Sequence, residues 1–229
     1  MKQTIRQIGI ELKSHAPFSI LGAVLGLGIL VFMVLARVPH SVSQGLFGTL
    51  HPAHVFFSAV VTTAMYRLHG RGRLLPALII GYVGSVGIGT LSDCVIPFFG
   101  ERLLGMEHAH AHIGFIELWW LVNPLAFLGV GVALIWPRTK VPHAGHVLLS
   151  TWASLFHMTM AHGPDQPLNA ATVLLVPVFL FIAVWVPCCT SDIAFPLLFS
   201  RGASRLHHPH DGETTDHDHK GAEQVGEEL

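Results

Sequence analysis

The chain has 229 residues, of which 12% are charged and 51% belong to the AVILMFWYC set, and its 17 histidines outnumber either the 13 basic or the 14 acidic side chains. Charge this sparse is about half the roughly 25% of soluble domains, and the mean hydropathy of +0.55 points the same way. A soluble domain, a disordered body and, with three cysteines, a disulfide framework are all disfavoured. Residues 201–229 hold 3 basic and 7 acidic groups, leaving 10 and 7 in the first 200. The sequence therefore predicts a membrane body over 1–200 and a polar tail over 201–229.

A membrane helix needs about 20 mostly apolar residues. Six segments qualify or nearly do, at 17–35, 51–65, 74–99, 113–136, 146–161 and 170–185, the last with an apolar continuation at 193–199. The first follows a basic stretch, as a signal peptide would, but its apolar run exceeds the usual length of one. Side-sorting of basic residues supports this set. With a cytoplasmic N-terminus, Lys2, Arg6, Lys13, Arg67, Arg71, Arg73, Arg138, Lys140, Arg201, Arg205 and Lys220 fall inside, and only Arg37 and Arg102 fall outside. Both termini are thus expected in the cytoplasm.

The chain also repeats itself. Residues 51–58 and 143–150 both read H-x-x-H-V-φ-φ-S, 92 residues apart, where φ is apolar. Each copy runs on to a His-Gly pair, His69-Gly70 and His162-Gly163. Ser92-Asp93 and Ser191-Asp192 both open an S-D-x-x-x-P-φ-φ motif, 99 residues apart. The expected fold is an all-α polytopic membrane protein with six transmembrane helices in a 3+3 inverted-topology repeat. Repeat one covers about 16–100, repeat two about 112–200, and a disordered His-rich tail follows. An odd number of spans per copy inverts the second copy, as in many secondary transporters.

This topology predicts His51, His54 and Asp93 near the outer surface, and His143, His146 and Asp192 at the cytoplasmic end. Residues i and i+3 share a helix face about 5–6 Å apart. Two imidazoles so placed, with a carboxylate from a facing helix, would suit Zn, Fe, Mn, Co or Ni. The serine before each aspartate could orient it. His162 would lie near the outer set and His69 near the inner one, as fourth ligands or interfacial groups. Cys188 and Cys189 could add soft ligands or simply pack. Pro97, Pro187 and Pro196 are expected to break the helices around the aspartates.

Glu117 lies one turn into the fourth segment, as a buried carboxylate or as an interfacial one beside Trp119 and Trp120. His108, His110 and His112 alternate in the outer loop, and His207, His208, His210, His217 and His219 crowd the tail. Both clusters suit metal capture. The four glycines at 81, 84, 87 and 89 offer a close-packing face.

The expected function is a permease for a divalent transition-metal cation, with symmetric His/Asp sites at the two membrane faces. The alternatives are a metal-dependent membrane enzyme of zinc or di-iron type, disfavoured by motifs on opposite faces, and a haem or thiol redox protein. For haem, only His157 is placed mid-membrane. The expected partners are the lipid bilayer and metal ions. A homo-oligomer is compatible with the sequence, and the lack of a basic patch excludes nucleic acid. The expected location is a prokaryotic inner membrane, as a multi-pass protein.

Overall fold

The computed structural model describes residues 2–69, 73–137, 140–163, 166–189 and 195. These residues are helical, with no strand among them. The elements are α1 (Lys2–Leu35), α2 (His40–His69), α3 (Leu74–Thr90), a π-helical turn (Leu91–Val95), α4 (Ile96–Leu103), α5 (Gly114–Glu117), α6 (Trp119–Ile135), α7 (Lys140–Ala161) and α8 (Ala170–Cys189).

Two helices are long and apolar enough to cross a membrane, namely Leu74–Leu103, which runs through α3, the π turn and α4, and Ala170–Pro187. The apolar helices Ser19–Leu35 and Trp119–Ile135 are shorter. The expected count of six spans is thus not established by length and apolarity. The distribution of polarity is nevertheless inverted relative to a soluble domain. Leu21, Val24, Phe32, Leu75, Ile79, Phe127, Ile135 and Leu174 are exposed, whereas His51, His54, Asp93, Glu101, His146 and His157 are buried. An apolar exterior of this extent marks contact with lipid or with another protein.

Helix α2 is the hub, packing most extensively on α7 and α6, then on α3. It runs antiparallel to α7, since Phe47 meets His157 at one end and His54 meets His146 further along. The facing stripes are Phe47, His51, His54 and Ser58 on α2, and His146, Ser150, Ser154 and His157 on α7. Both follow the i, i+4, i+7 or i+8, i+11 spacing that keeps side chains on one helix face. Small residues bring the remaining helices close. A methyl at Gly129 would run into the Phe56 backbone of α2, and one at Gly81 into Thr63. The glycine face of α3 is therefore used for packing at Gly81, Gly84 and Gly89, while Gly87 faces open space. Tyr82 on α3 donates to Asn123 Oδ1 on α6 at 2.8 Å.

Two expectations about helix continuity are corrected. Pro97 does not break its helix. Proline lacks an N–H and crowds the carbonyl four residues back, here that of Asp93. The backbone absorbs this by widening into the π turn over Leu91–Val95, where Ile96 N–H bonds to Leu91 O. Pro187 is likewise contained within α8. The second correction concerns α2. It starts at His40, eleven positions before the expected start at residue 51. The H-x-x-H motif therefore lies in about the fourth turn of the helix, not at its mouth.

Candidate metal centre

Asp93 sits in the π turn, fully buried. A π turn rotates the residues it contains relative to the preceding helix and often marks a functional position. Here it turns Asp93 toward α2 and α7. The Oδ2 atom accepts from His51 Nδ1 at 2.9 Å and from His54 Nδ1 at 2.6 Å. The Oδ1 atom accepts from Ser92 Oγ at 2.6 Å and from Ser150 Oγ at 2.8 Å. Ser154 Oγ donates to the Ser92 carbonyl at 3.1 Å, adding a second tie from α7 to the π turn.

An ionised carboxylate only accepts hydrogen bonds, so both histidines carry a proton on Nδ1. In the neutral form of either ring, Nε2 then holds the lone pair. This is the arrangement in which a carboxylate orients imidazole ligands for a metal. Asp93 with four donors around it is thus an orienting group. Each of its two oxygens meets two donors, so that it holds the imidazoles through their Nδ1 atoms and the serines through their hydroxyls. The expectation that Ser92 orients Asp93 agrees with the geometry, and Ser150, from the second H-x-x-H-V-φ-φ-S motif, does the same from across the bundle.

The His146 ring lies on the His54 ring, with centroids 5.8 Å apart and planes within 8°. The two motifs are thus not held at opposite ends, as the sequence predicted. The start of α2 ahead of its motif puts His54 at mid-helix, and the lead of nearly two turns in α7 before His146 brings the two rings together. His51, His54, Asp93 and His146 form one buried cluster.

A second group lies nearer one end of the bundle. His110, His112 and Glu117 each offer a ligand atom within 4.8 Å of the others, and could hold a metal ion. His112 Nδ1 donates to Glu117 Oε2 at 3.2 Å, and the Glu117 side chain is 45% exposed. Of the two alternatives for Glu117, the structure has the exposed one, because α5 ends there and Leu118 leaves helical geometry before α6 starts. His108, His112 and His162 line a cavity of about 440 Å³ together with His40, Arg37 and Thr159. His162 Nε2 donates to the Gln166 carbonyl at 2.9 Å.

Two further buried groups were missed as a pair. Glu101 on α4 and His157 on α7 are both fully enclosed, with His157 Nδ1 donating to Glu101 Oε1 at 2.6 Å. The apolar segment expected at 74–99 stops short of Glu101, which puts that residue in the loop that follows. His157 stood alone until its partner was in view. The one usable signal was spacing. Glu101 follows Asp93 by eight residues, about two helical turns.

The side chains of His69, His143, Cys188 and Cys189 lie outside the described residues, as do Asp192 and the tail histidines His207, His208, His210, His217 and His219. No family model, curated protein or solved structure matches the chain.

Proposed function

We propose that this chain is an integral membrane permease for a divalent transition-metal cation such as Zn, Fe, Mn, Co or Ni. In this reading six helices span the bilayer as an inverted 3+3 repeat, with both termini in the cytoplasm. The observation that carries it is the buried cluster, in which one carboxylate fixes two imidazoles through Nδ1 and a third imidazole, from the other motif, stacks against that of His54. Ionisable groups in a membrane interior are costly and usually functional.

The cluster combines one carboxylate with three imidazoles. That suits a divalent ion that must shed water on entry and still leave. Rapid passage requires several modest sites rather than one very tight one. The 440 Å³ cavity, rimmed by His40, His108, His112 and His162, is then the outer vestibule. His110, His112 and Glu117 capture the ion there. The expected symmetric sites at the two faces give way to a single central cluster between the halves, where alternating-access proteins bind their substrates.

Ion flux in proteoliposomes, measured across the five metals, tests this reading. Flux of at least one metal that His54→Ala abolishes supports it. Absence of flux for every metal overturns it. Convergence of both motifs on one buried site also suits a metal-dependent membrane enzyme, the second reading. Metal-dependent turnover of a lipid or peptide without flux would favour that one.

A further inference from the structure

We propose that Glu101 and His157 form a second cation station, distinct from the Asp93 cluster, and that the Phe47 ring is the partition between the two. The pair repeats the chemistry of the central cluster on other residues. A carboxylate holds an imidazole through Nδ1, so the lone pair sits on Nε2. Among the described residues, neither His157 Nε2 nor Glu101 Oε2 makes a hydrogen bond, although both atoms are buried. Buried polar atoms are nearly always paired, and an unpaired one calls for an explanation. A carboxylate oxygen and an imidazole nitrogen are the donor types that first-row divalent cations take.

His51 shows the same feature on the other side, a buried Nε2 with no hydrogen-bond partner among the described residues. Phe47 lies between the two rings. It stacks on His51 with centroids 5.4 Å apart, and meets His157 edge-on at 5.4 Å. Met33, Cys94, Phe156 and Met160 surround Phe47 with apolar groups. An ion at His157 is thus separated from one at His51 by an aromatic plate in an apolar collar, and Phe47 must turn aside for it to pass. On the far side, the His112 ring lies 5.8 Å from His157 and opens to the cavity. The order is vestibule, His112, His157 with Glu101, Phe47, then His51 with Asp93.

The transport role of this station rests on the permease reading, but its ion binding does not. The test uses Co2+ alone and the full chain in nanodiscs, with alanine at the five tail histidines. Bound Co2+ is counted by elemental analysis after buffer exchange. His157→Gln and Glu101→Gln should each lose one equivalent while keeping the equivalent that His54→Ala removes. Phe47→Ala should keep both and release the central ion at least tenfold faster. An unchanged Co2+ count in both His157→Gln and Glu101→Gln overturns the station. So does a folded His54→Ala chain that binds no Co2+, an outcome that needs neither of the other variants to fold. Separate loss of two ions without flux of any metal keeps the station and overturns the permease. Flux with an unchanged count in both variants does the reverse.

Discussion

The imidazole of His146 lies face to face with that of His54, 5.8 Å between centroids. The 92-residue offset between the two motifs maps one of these residues onto the other. In the proposed inverted repeat the pseudo-two-fold axis would pass between them, and the two rings would then contribute alike. His54→Ala and His146→Ala should each weaken Co2+ or Zn2+ binding by at least about tenfold, the lower end of what even a supporting group costs. Calorimetry on the two variants checks this. A loss confined to one of them would remove the symmetric role.

Asp93→Asn preserves shape and removes the charge. An amide oxygen can still accept from both imidazole N–H groups and its nitrogen can donate to the two hydroxyls, but the negative charge that favours Nδ1–H is gone. Tautomer control over His51 and His54 is weakened, and metal affinity should fall by roughly 10–100-fold. Exchanging charge-assisted hydrogen bonds for neutral ones should lower stability by about 1–3 kcal/mol. Calorimetry reads the first effect and thermal unfolding in detergent the second. Affinity equal to the unsubstituted chain would show that Asp93 does not orient the ligands.

Much of this cluster was legible in the sequence. His51, His54 and Asp93 stood out by spacing and by their duplication, and Ser92 by adjacency. Their depth was not legible. Residues 40–50, HSVSQGLFGTL, mix glycine with polar groups and look like a loop, whereas packing against α7 makes them helix. The meeting of His54 with His146 followed from that hidden turn count. Glu101 was lost for a related reason. The apolar run stops at Phe99, and nothing in the sequence marks that the helix goes on through the π turn to Leu103.

Ser150 ties the second motif to Asp93, with its hydroxyl 2.8 Å from Oδ1. Ser150→Ala removes one hydrogen bond to a charged group, a loss of about 1.5–3 kcal/mol. Ser92 still serves Oδ1, so metal affinity should change less than in Asp93→Asn. A thermal melt that shifts down with nearly unchanged Co2+ binding is the expected pattern. A tenfold or larger loss of affinity would instead make Ser150 part of the ion site.

Glu117 is exposed and holds His112 at 3.2 Å. A pair of this kind contributes about 0–1 kcal/mol to stability, so Glu117→Gln should fold normally. Its expected effect is on capture. The metal concentration at half-maximal flux should rise, while the maximal rate stays the same, because the buried groups are untouched. A fall in maximal rate at unchanged half-saturation would place Glu117 within the slow step of transport.

Gly114 lies against the His51 ring, and a methyl there would collide with its Cδ2 and Nε2. The absence of a side chain is therefore what lets His51 stand between Asp93 and Phe47. Gly114→Ala removes no donor, no charge and no orienting group. It should still push the imidazole off its 2.9 Å bond to Asp93 and out of the stack with Phe47. Overpacking of this sort costs about 1–3 kcal/mol of stability. It should also weaken Co2+ binding, because the ring no longer presents Nε2 in the oriented position. Spectra of bound Co2+ separate the two effects, since a displaced ligand alters the visible bands even where the protein remains folded. Unaltered bands and affinity in a folded Gly114→Ala chain would exclude His51 Nε2 as a ligand.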